Sequence, residues 1–328
     1  MRRAWFFLVL LPLSACAAQD YQIVRPARFS GMADASGGVA LSTNLFIAAS
    51  DEDNVLRVYD PNREGPAVKE LDCNVFLEVS GKSLEADLEA AASMGNRIFW
   101  IGSHGRNKNG KERSNRCRLF ATDFKIEQGA PILTFAGKPC KTLLQSLIAD
   151  PSLDRFHLSK AATLAPKEPE ALNIEGLAAT PEGHLLIGFR NPIPEGKALL
   201  VPLLNPNEVI EGKAPQFDAP ILLDLGGLGV RDIAWTGEDY LIIGGSFEGG
   251  HKSKLFRWKG PGTQPLKLEV KHFGDYNPEA IIVYPEHAGI QILSDDGTLR
   301  VNGVDQKDLP NPTQRTFRSF WLQQSVNR

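Results

Sequence analysis

The chain has 328 residues, of which 42% are hydrophobic and 23% are charged, and its formal net charge is −3 at neutral pH. This mildly acidic balance excludes a general nucleic-acid-binding protein, which would carry a basic surface. With 30 glycines, 22 prolines and 8% aromatic residues, the composition favours a turn-rich β fold over a helical one.

The N-terminal segment predicts export. Two arginines precede an apolar run that ends at Leu13, which is typical of a signal peptide and too short for a membrane span. The tetrapeptide "LSAC" at residues 13–16 fits the bacterial lipoprotein motif, in which cleavage after Ala15 leaves a lipidated Cys16 as the first residue. We therefore expect a signal peptide at 1–15 and an anchored lipoprotein on the periplasmic side of the outer membrane. The alternative is ordinary signal-peptidase cleavage, which leaves a soluble periplasmic or secreted protein.

Three cysteines, Cys73, Cys117 and Cys140, follow Cys16. Export places them in an oxidising compartment, where an odd number allows one bridge and one free thiol. If residues 117–140 form a hairpin with Phe124 opposite Pro131, then Cys117 lies within reach of Cys140. The sequence therefore predicts a Cys117–Cys140 disulfide and a free Cys73. The spacing of the cysteines does not indicate a zinc site.

A repeated pattern predicts the fold. The stretch "NIEGLAATPEGHLLIGFRNP" (173–192) reads as a short strand, a tight turn and a second strand, and related stretches occupy 87–106, 230–246 and 277–297. Residues 34–53 form a looser first copy, and one or two further strands follow each copy. Four strands about every 50 residues are typical of a β-propeller blade. We predict an all-β single propeller over residues 16–328 with five blades, six being the alternative count. An open β-sandwich is the competing fold.

Two further features of this propeller can be predicted. The N-terminal segment "YQIVRPARFS" is expected to supply the fourth strand of the last blade and close the ring. Residues 141–170 interrupt the repeat and read as a small helical insertion, because Leu143, Leu144 and Leu147 share one helical face and Asp150 can cap a second helix. The insertion ends just before Glu175, so we expect it to cover part of one channel mouth.

An acid opens the first strand in four of the five copies: Glu89, Glu175, Asp232 and Glu279. Ser36 takes the fifth place, with Asp34 near it. If first strands line the channel, these acids meet at one mouth and cannot all stay ionised without compensation. Bound Ca²⁺ is one solution, pairing with Arg106, Arg190 or Arg231 is a second, and protonation is a third. The competing interpretation is that each acid accepts backbone N–H groups of the next blade and only joins the blades.

Polar residues at the ends of the second strands are expected on the same face. His104 is the candidate general acid or base, and Arg106, Arg190 and Asn191 are candidate ligands for an anion. The loop 105–116 carries five basic residues against one acid, so it indicates a positive patch. A solvated hairpin tip explains the same composition.

Three segments carry a family resemblance: "LEAAASMGNRIFWIGSHGRNKNGKERSNRCRLFATDF", "NIEGLAATPEGHLLIGFRNP" and "DLGGLGVRDIAWTGEDYLIIGG". They resemble the bacterial domain of unknown function family 3616 over roughly 34–294, which implies a β-propeller and no particular activity. The motif "IEGLA" is also similar to esterase-like phytase domains and to calcium-binding propellers of the SdiA-regulated type. That similarity implies a metal-dependent phosphoester or ester hydrolase, although Ser36 replaces the acid in the first copy.

These observations leave three functions open. The first is an envelope propeller that binds a small anionic ligand, an ion or a partner at the acid-lined mouth, with Ca²⁺ as the cofactor. The second is the metal-dependent hydrolase, in which His104 acts on a substrate held by Arg106 and Arg190. The third is a protein-interaction scaffold without a ligand site. A propeller supports all three, so the fold alone does not choose between them.

Overall fold

The computed structural model describes residues 20–250, 253–270, 273–287 and 289–325. The predicted signal peptide and Cys16 lie outside these residues. Among the described residues, no helix has the length and apolarity that crossing a membrane requires.

Five antiparallel four-stranded blades make up the structure, and β1 (Asp20–Ser30) precedes the first of them. Blade 1 contains β2 (Gly37–Ser42), β3 (Leu45–Ala49), β4 (Val55–Tyr59) and β6 (Lys69–Asp72). The two-residue strand β5 (Gly65–Pro66) lies between β4 and β6 in the chain and pairs with β1. Blade 2 contains β7 (Leu88–Met94), β8 (Arg97–Gly102), β9 (Leu119–Glu127) and β10 (Ala130–Cys140). Blade 3 contains β11 (Asn173–Ala179), β12 (Leu185–Asn191), β13 (Ala198–Leu203) and β14 (Ile221–Leu223).

Blade 4 contains β15 (Gly229–Trp235), β16 (Tyr240–Gly245), β17 (Lys254–Trp258) and β18 (Leu266–Val270). Blade 5 contains β19 (Pro278–Tyr284), β20 (Gly289–Ser294), the outlying hairpin of β21 (Arg300–Val301) and β22 (Val304–Asp305), and β23 (Thr316–Gln324). The innermost strands β2, β7, β11, β15 and β19 contact one another in cyclic order. The predicted five-bladed propeller is therefore confirmed.

The N-terminal strand closes the ring, as predicted. β1 pairs antiparallel with β23 and becomes the fourth strand of blade 5, while its first two residues also pair with β18 of blade 4. Phe29 on β1 packs against Phe46 and Tyr59 of blade 1 and against Phe317 of β23, with ring centroids 5.2 to 5.3 Å apart. This aromatic cluster joins the first blade to the last.

Small residues line the channel because the innermost strands approach closely. A Cβ atom placed on Gly37 of β2 would lie 2.7 Å from the Cα atom of Ala90 on β7. A side chain larger than hydrogen at this position would therefore push two blades apart. The predicted reason for the small residues in first strands, crowding near the axis, agrees with this contact.

Short helices lie in the connections. The α-helices are α1 (Asn74–Leu77), α2 (Leu143–Ala149), α3 (Leu158–Ala161) and α4 (Pro206–Ile210). The 3₁₀ turns are Ser114–Arg116, Pro151–Phe156, Pro194–Gly196, Pro285–His287, Gln306–Asp308 and Pro312–Gln314. The insertion 141–170 contains α2, a 3₁₀ turn capped by the Asp150 side chain, and α3. The core against blades 2 and 3 includes five leucines of the insertion: Leu143, Leu144, Leu147, Leu153 and Leu158.

The predicted disulfide is wrong in this structure, where Cys73, Cys117 and Cys140 are all free thiols. The hairpin register differs from the expected one by two residues, because Phe124 pairs with Leu133 rather than with Pro131. A bulge follows Ala136, and Cys140 then lies opposite Leu119. Cys117 lies beyond the end of this ladder, so the argument from strand register does not hold.

Candidate functional site

The residues at the channel mouth are set by a bulge at the start of four innermost strands. In blades 2 to 5, the ladder between the first and second strands skips one residue on the first strand. A bulged residue has no partner opposite it, and its side chain is redirected. The skipped residues are Glu89, Glu175, Arg231 and Glu279, and all four line one cavity.

Asp232, the remaining acid of the four predicted, does not line this cavity. Its two carboxylate oxygens accept the backbone N–H groups of Ile233, at 2.8 Å, and Ile281, at 2.7 Å. Burial raises its pKa well above the usual range, which the two N–H donors partly offset. Ile281 belongs to the next blade, so Asp232 is an interblade staple. Because successive strand residues face opposite ways, an alignment shifted by one residue selected Asp232 instead of Arg231.

Two arginines compensate the charge of two of the three glutamates. Arg190 Nη1 lies 2.5 Å from Glu175 Oε1, and Arg190 Nε donates to the Ser246 carbonyl. Arg231 Nη2 contacts Glu279 Oε2, while Arg231 Nε lies 3.7 Å from Glu175 Oε2. The predicted compensation by arginine is therefore present for Glu175 and Glu279.

Glu89 has no such compensation. Its exposed fraction is 8%, and within the described part of the chain it makes neither a hydrogen bond nor an ion pair. Burial raises the pKa of its carboxyl well above the usual range, and the nearby charges of Asp87, Glu175 and Asp51 raise it further. One oxygen each of Glu89, Glu175 and Glu279 lie within 4.8 Å of one another. We call these three residues the glutamate cluster.

A second group of acids comes from blade 1. Asp34 precedes β2, and Asp51 and Glu52 follow β3. One oxygen from each lies within 4.8 Å of the others, and we call these three residues the aspartate cluster. Burial, followed by the charges of Asp51 and Asp295, raises the pKa of Asp34 to about 10. Lys307 Nζ lies 2.8 Å from Glu52 Oε1.

Both clusters face the same cavity, which has a volume of about 580 Å³. Its acidic lining residues are Asp34, Asp51, Glu52, Glu85, Asp87, Glu89, Glu175, Glu279, Asp295 and Asp308. Its basic lining residues are Lys108, Arg113, Arg116, Lys167, Arg190, Arg231 and Lys307. Carboxylates exceed basic groups, so the cavity favours a ligand with positive charge.

The insertion reaches this cavity, as expected, because Pro166 and Lys167 belong to its lining. Asn191 holds the insertion in place by donating to the carbonyls of Pro166, at 3.2 Å, and Glu168, at 2.8 Å. The Asn191 side chain is therefore a structural contact, and it does not line the cavity.

His104 and Arg106 lie on the predicted face without lining the cavity. His104 is 2% exposed, its Nδ1 contacts the Gly102 carbonyl at 2.8 Å, and burial lowers its pKa to about 4. Arg106 donates to the carbonyls of Ala162 and Gly110. Neither position gives the contact with a ligand that a catalytic or anion-binding role requires. Of the predicted anion ligands, only Arg190 lines the cavity.

The sequence prediction missed several residues of the cavity lining because it compared the types of residue in the repeats and not their positions in the first strand. Aligned without gaps, the first strands read D-L-E, N-I-E, G-V-R and N-P-E, and the first copy reads D-A-S. This alignment places Arg231 with the glutamates and Asp34 with Asp87, Asn173 and Asn277. Lys307 is outside the repeat, in the long connection of blade 5, and the repeat gives no signal for it.

Comparison with known proteins supports the family resemblance. Residues 123–282 match the model of the DUF3616 family, which is described as a protein of unknown function. The predicted resemblance is confirmed over this segment, which is shorter than expected and covers just under half of the chain. Among curated proteins, no sequence matches this chain.

Three solved structures are similar to this chain at low sequence identity and low TM-score. Glutaminyl cyclase of Myxococcus xanthus is 11% identical, with a TM-score of 0.49, over 94% of this chain and 98% of that one. The PQQ-bound aldose sugar dehydrogenase of Streptomyces coelicolor is 12% identical, with a TM-score of 0.45, over 93% and 98%. The Cps50 (Swd1) β-propeller domain of Myceliophteria thermophila is 11% identical, with a TM-score of 0.37, over 94% and 100%.

Proposed function

We propose that the channel mouth is a cation-binding site and that the glutamate cluster binds Ca²⁺. The observation that carries this proposal is Glu89, which is 8% exposed and lines the cavity without a hydrogen bond or an ion pair in the described residues. Partial burial removes water from this carboxylate, and a cation that contacts it offsets that cost. Ca²⁺ takes oxygen ligands and prefers carboxylates among side chains.

The surroundings of Glu89 fit a hard cation. The pairing with Arg190 and Arg231 fixes the positions of the Glu175 and Glu279 carboxylates, and Glu175 Oε2 has no hydrogen-bond partner among the described residues. Three carboxylates give fewer than the six to eight oxygens that Ca²⁺ requires. Water or an oxygen-bearing ligand in the cavity completes the coordination.

The rim of the cavity indicates what that ligand is. Lys108 and Lys167 are exposed, and neither they nor Arg113 form an ion pair within the part of the chain that the structure describes. These cations surround the acidic floor. We propose that a small anion enters past them and binds the cation. The hydrolase alternative depended on His104, and no observation at the cavity favours it.

We also propose that the protein is an envelope lipoprotein anchored through Cys16, since residues 13–16 fit the lipoprotein motif. Two or more acyl chains hold a protein firmly on a membrane. Mass spectrometry of the mature N-terminus is expected to show an acylated Cys16. An unmodified chain that begins after residue 16 would contradict the proposal.

The Ca²⁺ proposal is tested by thermal unfolding of chelator-treated protein. Ca²⁺ at about 100 times its Kd is expected to add roughly 2.7 kcal/mol to the free energy of unfolding. Glu89→Gln is expected to reduce this gain because it removes the uncompensated carboxylate. Glu238→Gln is the control, since Glu238 is exposed in the turn between β15 and β16. A full Ca²⁺ response in Glu89→Gln would reject Glu89 as a ligand.

A further inference from the structure

The aspartate cluster differs from the glutamate cluster in its partners. Asp34 is 4% exposed, lines the cavity, and has an Oδ1 atom with no hydrogen-bond partner in the described residues. Asp51 Oδ1 is likewise buried and has no hydrogen-bond partner in that part of the chain. No arginine ion pair with Asp34, Asp51 or Glu52 occurs among the described residues. The aspartate cluster therefore has unsatisfied oxygen atoms that are not used by the first site.

The net charge of the aspartate cluster decides which kind of ligand its unsatisfied oxygen atoms can bind. Lys307 contributes one positive charge through Glu52, and its side chain is 35% exposed. When the carboxyl groups of Asp34, Asp51 and Glu52 are all ionised, as cation binding requires, they face that single ammonium. A second monovalent group would leave the cluster negative, whereas a divalent cation supplies the missing charge. Oxygen atoms around Ca²⁺ lie up to about 5 Å apart across the ion, and one oxygen from each of the three residues lies within 4.8 Å of the others.

We propose that Asp34, Asp51 and Glu52 form a second divalent-cation site, separate from the glutamate cluster, and that Lys307 is the counter-ion which competes for it. Lys307 lies in the turn Gln306–Asp308, whose backbone is bonded to Gly297 and Leu299 of the same blade. Its ammonium therefore stays near Glu52. Cation binding has to displace this ammonium from Glu52.

The second site is expected to bind the cation more tightly than the first. Arg190 and Arg231 already neutralise two carboxylates of the glutamate cluster, and their charges repel a cation. Within the described ranges, the aspartate cluster is paired only with the partly exposed Lys307, whose effect is weakened by solvent. Because the two sites are expected to differ in their affinity for the cation, a single titration distinguishes them.

Calcium titration of the chelator-treated protein by calorimetry tests this inference. The wild type is expected to bind two equivalents. Asp51→Asn is expected to remove the tighter one, and Glu89→Gln the weaker one. Lys307→Met is expected to tighten the stronger site by about fivefold, because it removes the competing charge. Lys254→Met, at an exposed position on β17, is the control.

The outcomes separate this site from the first. One equivalent that survives Glu89→Gln and disappears in Asp51→Asn supports the aspartate cluster and rejects the glutamate cluster. One equivalent with the opposite response rejects the inference made here. Two equivalents that both survive Asp51→Asn also reject it. If Asp51→Asn does not fold, Lys307→Met decides, since an unchanged or weakened affinity contradicts the competition.

Discussion

Phe29→Ala is expected to lower the free energy of unfolding by about 3–5 kcal/mol, the usual range for a buried phenylalanine. Phe29 is fully buried among Phe46, Tyr59 and Phe317. These rings belong to β1, to blade 1 and to β23 of blade 5. The substitution therefore opens a cavity where the ring closes, and it weakens the contact between the two ends of the chain.

Urea unfolding measures this effect through the change in midpoint. Gln22→Ala is the control, because Gln22 lies on the same strand and is exposed; surface changes are usually within about 0.5 kcal/mol. If both variants unfold at the wild-type midpoint, β1 does not contribute to closing the propeller.

Asp232→Ala is expected to lower the free energy of unfolding by roughly 2–5 kcal/mol, while Ca²⁺ binding is retained. The variant removes the acceptor of two buried backbone N–H groups, and each unsatisfied group costs about 1–3 kcal/mol. The affected groups belong to Ile233 and Ile281, on adjacent blades. Asp232 contributes no atom to the cavity lining.

Glu89→Gln is the matched variant, because it alters an acid at nearly the same level of the channel. It is expected to reduce Ca²⁺ binding without lowering the stability of the ion-free protein, since Glu89 has no hydrogen bond or ion pair to lose among the residues that the structure describes. Chemical unfolding and Ca²⁺ titration of both variants give the comparison. If Asp232→Ala abolishes Ca²⁺ binding in a folded protein, the separation between staple and site is wrong.

The sequence predicts the propeller well because each blade repeats a local pattern. Strand, turn and strand recur near a fixed spacing, and N-terminal closure follows from the need to cover an edge. The cysteines show the limit of this reasoning. The bulge after Ala136 places Cys140 opposite Leu119 and so separates it from Cys117, and hydrophobic alternation does not reveal a bulge.

The site could be predicted only in part, because the sequence pattern does not show where a bulge forms. Glu89, Glu175 and Glu279 follow from the repeat, whereas the fourth position depends on which residue forms the bulge. That residue is Arg231, so the ring contains its own counter-ion. The contribution of Lys307 depends on how a long connection folds back onto blade 1. Such contacts between distant segments have no periodic signal in the sequence.

The most direct measurement is crystallographic. Crystals of the chelator-treated protein soaked in Mn²⁺, which also takes carboxylate ligands, are expected to give an anomalous peak within coordination distance of Glu89, Glu175 and Glu279. The same experiment on Glu89→Gln is expected to lose that peak. A wild-type map with no peak at the glutamate cluster, or with an unchanged peak in Glu89→Gln, would contradict the proposed cation site.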